Sequence, residues 1–385
     1  MIRIRSLLIV MFAAASAATA ATAVGAQGTL STQGFGYPQG EFSTRALATG
    51  GALAQFDPQS GVNPASISMS GDPLLFLQYE PEFRKVTSGS LSSNSTTARF
   101  PMLVASVPVG GQYTFGISVS TFLDRSWSTS ATRIQNVAGK PASVTENVKS
   151  LGAIDDIRVI AGWVPSNFVQ LGIAAHVYTG QNRLLYAQTF PDSLHFVPVK
   201  QVSNLAYTGV AISAGAIFHP SSIFEVAISG RKGGNFNART GDTIVSQAKI
   251  PDRYGAAISY GGLTGATISA QVGRDLWSAL NGLGSTDARA VDAWDSGLGI
   301  EAIGPRVLSQ NILLRLGARY RTLPFVAAGS EVHELSFAGG FGAQFARNRA
   351  AFDLTLQRAS RTTDATATAV RERAFTLSFG LRVRP

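Results

Sequence analysis

Residues 112 to 120 read QYTFGISVS and alternate without a break. Tyr113, Phe115, Ile117 and Val119 fall on one face; Gln112, Thr114, Gly116, Ser118 and Ser120 fall on the other. A period of two marks a β-strand. The pattern recurs at Val169, Leu171, Ile173, Ala175 and Val177, at Ile312, Leu314, Leu316, Ala318 and Tyr320, and at Phe375, Leu377, Phe379, Leu381 and Val383. After residue 73, fourteen such segments can be counted, each ended by Gly, Pro, Asn or Ser as strands should be.

Alternation alone does not separate a soluble sandwich from a membrane barrel; the content of the two faces does. The second face carries Gly, Ser, Gln and single charges, as at Glu225, Arg253, Glu301, Arg315, Arg319 and Asp353, while the first carries almost no charge and the strands hold almost no lysine. A lipid-facing exterior around a polar, glycine-rich lumen fits this division. Tyr79, Trp163, Tyr254, Tyr260 and Tyr320 are expected near strand ends, in the aromatic girdles of such a barrel.

Composition agrees. Asp, Glu, Lys and Arg make up 14% of the 385 residues, against about 25% in soluble domains, while 40 glycines and a 45% hydrophobic share complete an apolar, weakly charged chain. The absence of cysteine excludes a disulfide scaffold, a thiolate metal site and a cysteine nucleophile. The four histidines, His176, His195, His219 and His333, are too scattered for a metal cluster. A net charge of +9 could suggest nucleic acid, but the basic residues are spread singly, without the patch or tail that a nucleic-acid binder needs.

Residues 1–26 read as a secretory signal peptide, with Arg3 and Arg5 before an apolar run and small residues at Val24 and Ala26 that suit cleavage. The apolar run is shorter than the roughly 20 residues of a membrane helix, and no later stretch is long enough either. The expected organisation is a signal peptide over 1–26, a segment over 27–72 that does not read as strand, given as an N-terminal hatch by the resemblance described below, and an antiparallel transmembrane β-barrel of fourteen strands over 73–385. Connection lengths supply an independent argument. Short ones at 110–111, 165–167, 219–222, 261–265, 304–309 and 346–348 alternate with long ones at 87–98, 125–150, 179–205, 232–249, 275–292, 322–331 and 359–370. Short periplasmic turns and long external loops are the habit of outer-membrane barrels, so the cell outer membrane is the expected location.

The segment before the first strand has its own character. Ser43 to Ser68 reads STRALATGGALAQFDPQSGVNPASIS, a small-residue helix over 45–55, an acidic turn at Asp57-Pro58 and the box Asn63-Pro64-Ala65. This order resembles the hatch of the FadL-like outer-membrane transporters of hydrophobic compounds, the long-chain fatty-acid and aromatic-hydrocarbon channels. Further matches are IPDRYGAAISYGGLTGATISAQVGRDLWSAL, residues 250–280, closing on Trp277-Ser278, and LRLGARYRTLPF, residues 314–325, followed by FAGGFGAQF. The final strand, ending in Pro385, departs from the common pattern of outer-membrane barrels, whose last residue is usually aromatic. Read from the residues alone, Asn63 before Pro64 is held out of the helical region and its amide can bond neighbouring backbone groups. Gly50 and Gly51 permit close approach to a wall or an unusual backbone angle. With Asp57, these residues are the expected hatch or gating set; a merely structural plug stays open beside a gate.

Apolar residues where water would otherwise sit mark a ligand route. Leu184, Leu185, Tyr186, Phe190, Leu194, Phe196 and Val197 crowd the connection 179–205; the resemblance implies a hydrophobic landing groove there, with Phe122, Leu123 and Trp127 beside it, and loop-on-loop packing is the alternative. Phe35, Phe42 and Phe56 are candidates to line an apolar cavity inside. For Arg315 and Arg319 two roles stand open: contact with a ligand carboxylate, or pairing with Glu301 or Asp353 inside the lumen. The expected function is passive uptake of hydrophobic small molecules by a monomer among outer-membrane lipids, with no cofactor, no metal and no nucleic acid. A phosphate-binding loop is absent from the sequence. The alternative is a structural or secretion-linked outer-membrane barrel that binds protein partners. An enzyme is not expected, because no triad motif surrounds His176, and a general porin would not carry a plug.

Overall fold

The alternating segments pair in chain order and close on themselves. The structure, a computed structural model, describes residues 30, 36–88, 91–137, 139–190, 196–283, 289–307, 310–327, 329–347, 349–363 and 370–385. Its strands are β1 (Tyr37–Pro38), β2 (Leu74–Ser88), β3 (Leu91–Val109), β4 (Tyr113–Asp124), β5 (Trp127–Val137), β6 (Lys140–Ser166), β7 (Val169–Thr189), β8 (Val199–Ser221), β9 (Phe224–Thr240), β10 (Thr243–Lys249), β11 (Arg253–Leu263), β12 (Ala266–Asp275), β13 (Ala293–Val307), β14 (Gln310–Ala327), β15 (Ser330–Phe345), β16 (Ala350–Thr363) and β17 (Val370–Val383). β5 and β10 are hairpin arms on β6 and β9, and β1 lies inside the lumen against β4. The other fourteen form a closed antiparallel barrel, sealed where β17 pairs with β2 from Val383 opposite Leu75 to Val370 opposite Ser88. Closure leaves no unpaired edge, which a sheet in hydrocarbon cannot tolerate.

The faces are inverted relative to a soluble protein. On β4, Tyr113, Phe115, Ile117 and Val119 are 38–52% exposed, while Thr114, Ser118 and Ser120 are at most 4% exposed. The apolar side therefore faces outward and the polar side fills the lumen, as the sequence predicts for a membrane barrel. Trp163 and Tyr254 lie outward near strand ends, whereas Tyr320 is outward but well inside β14. Nor does Tyr79 lie near an end; it sits in the middle of β2's apolar run, against Phe100 at 4.9 Å.

The long connections are mostly not loops. β2 and β3 run on until only residues 89–90 separate them, 125–150 folds as the β5–β6 hairpin, and 232–249 folds as the β9–β10 hairpin. Continuing the ladder keeps backbone donors and acceptors paired beyond the membrane. Both faces are wet there, so stretches such as SSNSTT at 92–97 lose the apolar alternation that betrays a strand. Leu184, Leu185 and Tyr186 accordingly belong to β7, paired with Ser150, Lys149 and Val148, and neighbours along a strand point to opposite faces. The segment 275–292 carries a 3-10 helix at Trp277–Leu283. The leader 1–26 and Phe35 lie outside the described residues.

Candidate functional site

The hatch is built by short-range rules and held by the wall. Ser43 caps α1 (Thr44–Ala48) by accepting from the Ala46 backbone N–H at 3.1 Å, and the same hydroxyl donates to the Asp57 carboxylate. Asp57 is buried and also accepts from the Ser60 hydroxyl at 2.9 Å and the Gln59 N–H at 3.3 Å. One carboxylate thus ties the start of the helix to the turn that follows it. Asn63 is extended, at φ −121° and ψ 114°, as a residue before proline should be. Its amide donates to the Gln55 carbonyl at 3.2 Å and its Oδ1 accepts from the Ala65 N–H at 3.0 Å, starting the 3-10 helix Pro64–Ser70.

Glycine decides where hatch and wall can touch. Gly50 and Gly51 have φ of 63° and 85°, a region that glycine enters without strain. A methyl group on Gly50 would strike the Ala318 backbone, and one on Gly297, Gly299 or Gly317 would strike Thr49 or Gly50. On the opposite wall Gly172 lies bare beneath Pro64-Ala65 and Gly215 beneath Asn63. Both roles expected of Gly50-Gly51 are therefore met, and the wall glycines that answer them were only a compositional feature of the sequence.

Charges complete the attachment. Arg45 makes a two-pronged pair with Glu301 at 3.0 and 2.6 Å, and Glu301 also takes Arg315 at 2.5 Å. Arg315 reaches Asp353 at 2.5 Å; Arg319 binds both oxygens of Asp295, at 2.8 and 2.7 Å, with its guanidinium 4.2 Å from the centre of the Phe42 ring. The two arginines thus stand in carboxylate contacts along one side of the lumen, with β13 and β16. Glu41 bonds Arg253 and, at 3.4 Å, Arg231, and Arg158 donates to the Gly61 carbonyl at 2.5 Å. Towards the outer end Tyr37 is ringed by Arg84, Arg99, Arg321 and Arg361, with guanidinium carbons 4.7–5.8 Å from its centroid. Burial pushes the Tyr37 hydroxyl above its ordinary value, against the pull of Arg321 and Arg361, so at neutral pH it remains a donor, to Glu334 at 3.2 Å.

Of the hatch phenylalanines, Phe56 packs against Ala65, Ile217, Ala227 and Ala257. Phe42 packs with Ala46, Ala54 and Val62, and borders a cavity of about 60 Å³ whose lining includes Glu80, Glu82 and Arg361. The aromatic residues that do gather in the lumen are others. Phe122, Leu123, Tyr178, Tyr207, Phe236, Trp277, Leu280 and Phe325 form one buried apolar cluster at the outer end. Phe122 stacks on Trp277 at 5.2 Å and meets Tyr178 edge-on at 4.8 Å. Sequence reading placed Phe122 and Leu123 near a groove and Trp277 in a motif. Phe325 stood only as the last residue of another motif, and Tyr207 and Phe236 had no signal, because which strand ends converge is a matter of barrel closure. Phe190 and Phe196 meet at 5.6 Å beyond the wall.

His176 faces the lumen, held by both Asp156 oxygens at 3.0 Å and by the Ser213 hydroxyl at 2.8 Å. This has the bonding order of a hydrolytic triad. Ser213 nevertheless lies in a ladder paired on both sides, opposite Ala174 and Arg231, so its strand offers no free N–H pair to a developing oxyanion.

Neither a protein-family model nor a curated protein matches the sequence. Solved structures match its fold. A FadL homologue from Pseudomonas aeruginosa superposes with a TM-score of 0.60 at 12% identity, covering 91% of this chain and 99% of that one. The CymD monoaromatic hydrocarbon channel gives 0.56 at 13% identity, with 93% and 99% covered. The toluene transporter TodX of Pseudomonas putida gives 0.56 at 11% identity, with 94% and 98% covered. The chain therefore has the FadL-like fold, a fourteen-strand barrel plugged by an N-terminal hatch, as its hatch residues suggested.

Proposed function

We propose that this chain is a FadL-like channel of the cell outer membrane that takes up hydrophobic small molecules passively, with monoaromatic hydrocarbons as the best-fitting class. The carrying observation is the aromatic cluster around Phe122, Tyr178 and Trp277, a packed apolar region inside the barrel. The rings now meet one another at 4.8–6.1 Å, and a flat aromatic ligand that parts them would find the stacked and edge-on partners it prefers. The neighbours named for toluene and monoaromatic hydrocarbons support the same class. A fatty acid would also bring a carboxylate, and Arg315 and Arg319 already hold acidic partners.

In this reading Phe190 and Phe196 form the landing surface, flanked by Leu184, Leu185 and Tyr186, and the ligand passes inward to the Trp277 cluster. The hatch residues Gly50, Gly51, Asp57, Asn63, Pro64 and Ala65 form the gate, and a cleaved leader delivers the chain as a monomer. The test is a titration of the purified barrel with toluene and with oleate. Saturable toluene binding is expected, weakened about tenfold by Phe122→Ser with Trp277→Ser, and less by Phe190→Ser with Phe196→Ser. Absence of binding by either ligand would overturn the uptake reading in favour of a barrel that serves protein partners.

A further inference from the structure

We infer that the outer wall of the barrel at β16, β17 and β2 binds the phosphate groups of a phosphorylated outer-leaflet lipid. The inference rests on the outer-membrane location proposed above, not on transport.

Four cations gather on the lipid-facing side of three adjacent strands. Lys85 of β2 lies opposite Arg373 of β17, and Arg371 lies opposite Thr87. On the other flank Arg373 faces Ser360 of β16, and Arg358 faces Phe375. All four are exposed, on the same face as Phe83, Phe375 and Phe337, which are 44–61% exposed. The residues between them, Glu82, Arg84 and Glu372, point into the lumen and are 2% exposed or less. The four are therefore not part of the ionic network around Tyr37.

Their depth is what gives them a partner. From the end near the C-terminus, the outward residues of β17 are Val383, Leu381, Phe379, Leu377 and Phe375, and Arg373 comes next. Those eight steps, at about 3.4 Å each and a tilt near 40°, span roughly 20 Å, close to the height of an apolar belt. On β2 the order is Leu75, Leu77, Tyr79, Pro81 and Phe83, and then Lys85. On both strands the cations begin where the belt ends. With the short turns inward, that edge is the outer leaflet's headgroup level.

Two other outward cations at the external rim are answered by protein. Lys232 meets Asp252 at 2.5 Å, and Arg274 meets Asp292 at 3.7 Å. Lys85, Arg358, Arg371 and Arg373 form no ion pair among the described residues. Four unpaired cations on one face leave a local charge that an anion must balance. A free phosphate would use the cations alone, whereas a lipid uses the cations and the apolar belt beneath them; the continuity of the two commits the site to a lipid. Arginine's planar fork suits phosphate oxygens.

The test uses the full mature chain in non-ionic detergent, titrated with a hexa-acylated, bisphosphorylated lipid A and followed by native mass spectrometry. A saturating adduct is expected. The same lipid without its phosphates should bind at least tenfold more weakly, and raised salt should weaken only the phosphorylated form. Arg371→Gln with Arg373→Gln should weaken binding roughly thirtyfold, while Lys232→Gln should leave it unchanged. Equal binding of the two lipids by the native chain would overturn the inference, whether or not the variants fold. So would unchanged binding by the folded double variant, or a second copy of the chain occupying the face instead of lipid. None of these outcomes depends on toluene binding, so failure here and failure of the uptake reading can be told apart.

Discussion

Gly317 shows how one missing methyl group can decide where a plug sits. A Cβ there would meet Thr49 and Gly50 of the hatch, which are backbone atoms and cannot rotate away. Gly230, on the outward face of β9, meets nothing nearer than 3.7 Å. Gly317→Ala is therefore expected to displace the hatch and raise the leak of a small polar dye from proteoliposomes several-fold, with a local cost of about 1–3 kcal/mol for overpacking. Gly230→Ala should leak like the native chain. Equal leak in the two variants would mean that the hatch does not need this contact. At the same scale Asn63 was legible: a residue before proline, with an amide to spend on its neighbours, is the 3-10 helix cap that the structure contains. Arg315 meets both carboxylates named from the sequence, Glu301 and Asp353, whereas Arg319 holds Asp295, which was not named, because lumen residues far apart in sequence become neighbours through strand register.

The hatch is the element on which the channel reading turns. It rests on opposite sides of the lumen at once: α1 packs against β14 to β17, and the 3-10 helix Pro64–Ser70 packs against β4 and β6 to β8. Its attachments are side-chain pairs, close backbone approach and the short β1–β4 pairing, while the barrel's own ladder closes without it through β17 and β2. Deleting residues 28–68 should therefore leave a folded, heat-modifiable barrel with markedly raised permeability to small polar solutes. Unchanged permeability would show that another element closes the pore. The external hairpins were the elements misread in the sequence as loops. Above the membrane both faces of a strand are solvated, and the apolar-polar contrast that reports a strand vanishes while its hydrogen bonds persist.

As a whole, the molecule combines an apolar exterior, a charged and plugged interior and an aromatic cluster at the outer end. A plugged barrel of this kind should show small or no steady conductance in planar bilayers; a large, stable conductance would favour a general porin. The sequence by itself determined the strand count, the inside and outside of the wall and the hatch with its box. Each is written in local order: period two, the chemistry of alternate faces, a proline after an asparagine. The tertiary structure decided which glycines receive the hatch, which carboxylate holds each arginine, and that Phe122, Tyr207, Phe236, Trp277 and Phe325 meet. Those contacts join strands by register across a closed sheet, and register is fixed by the pairing of the whole barrel, not by any stretch of residues read alone.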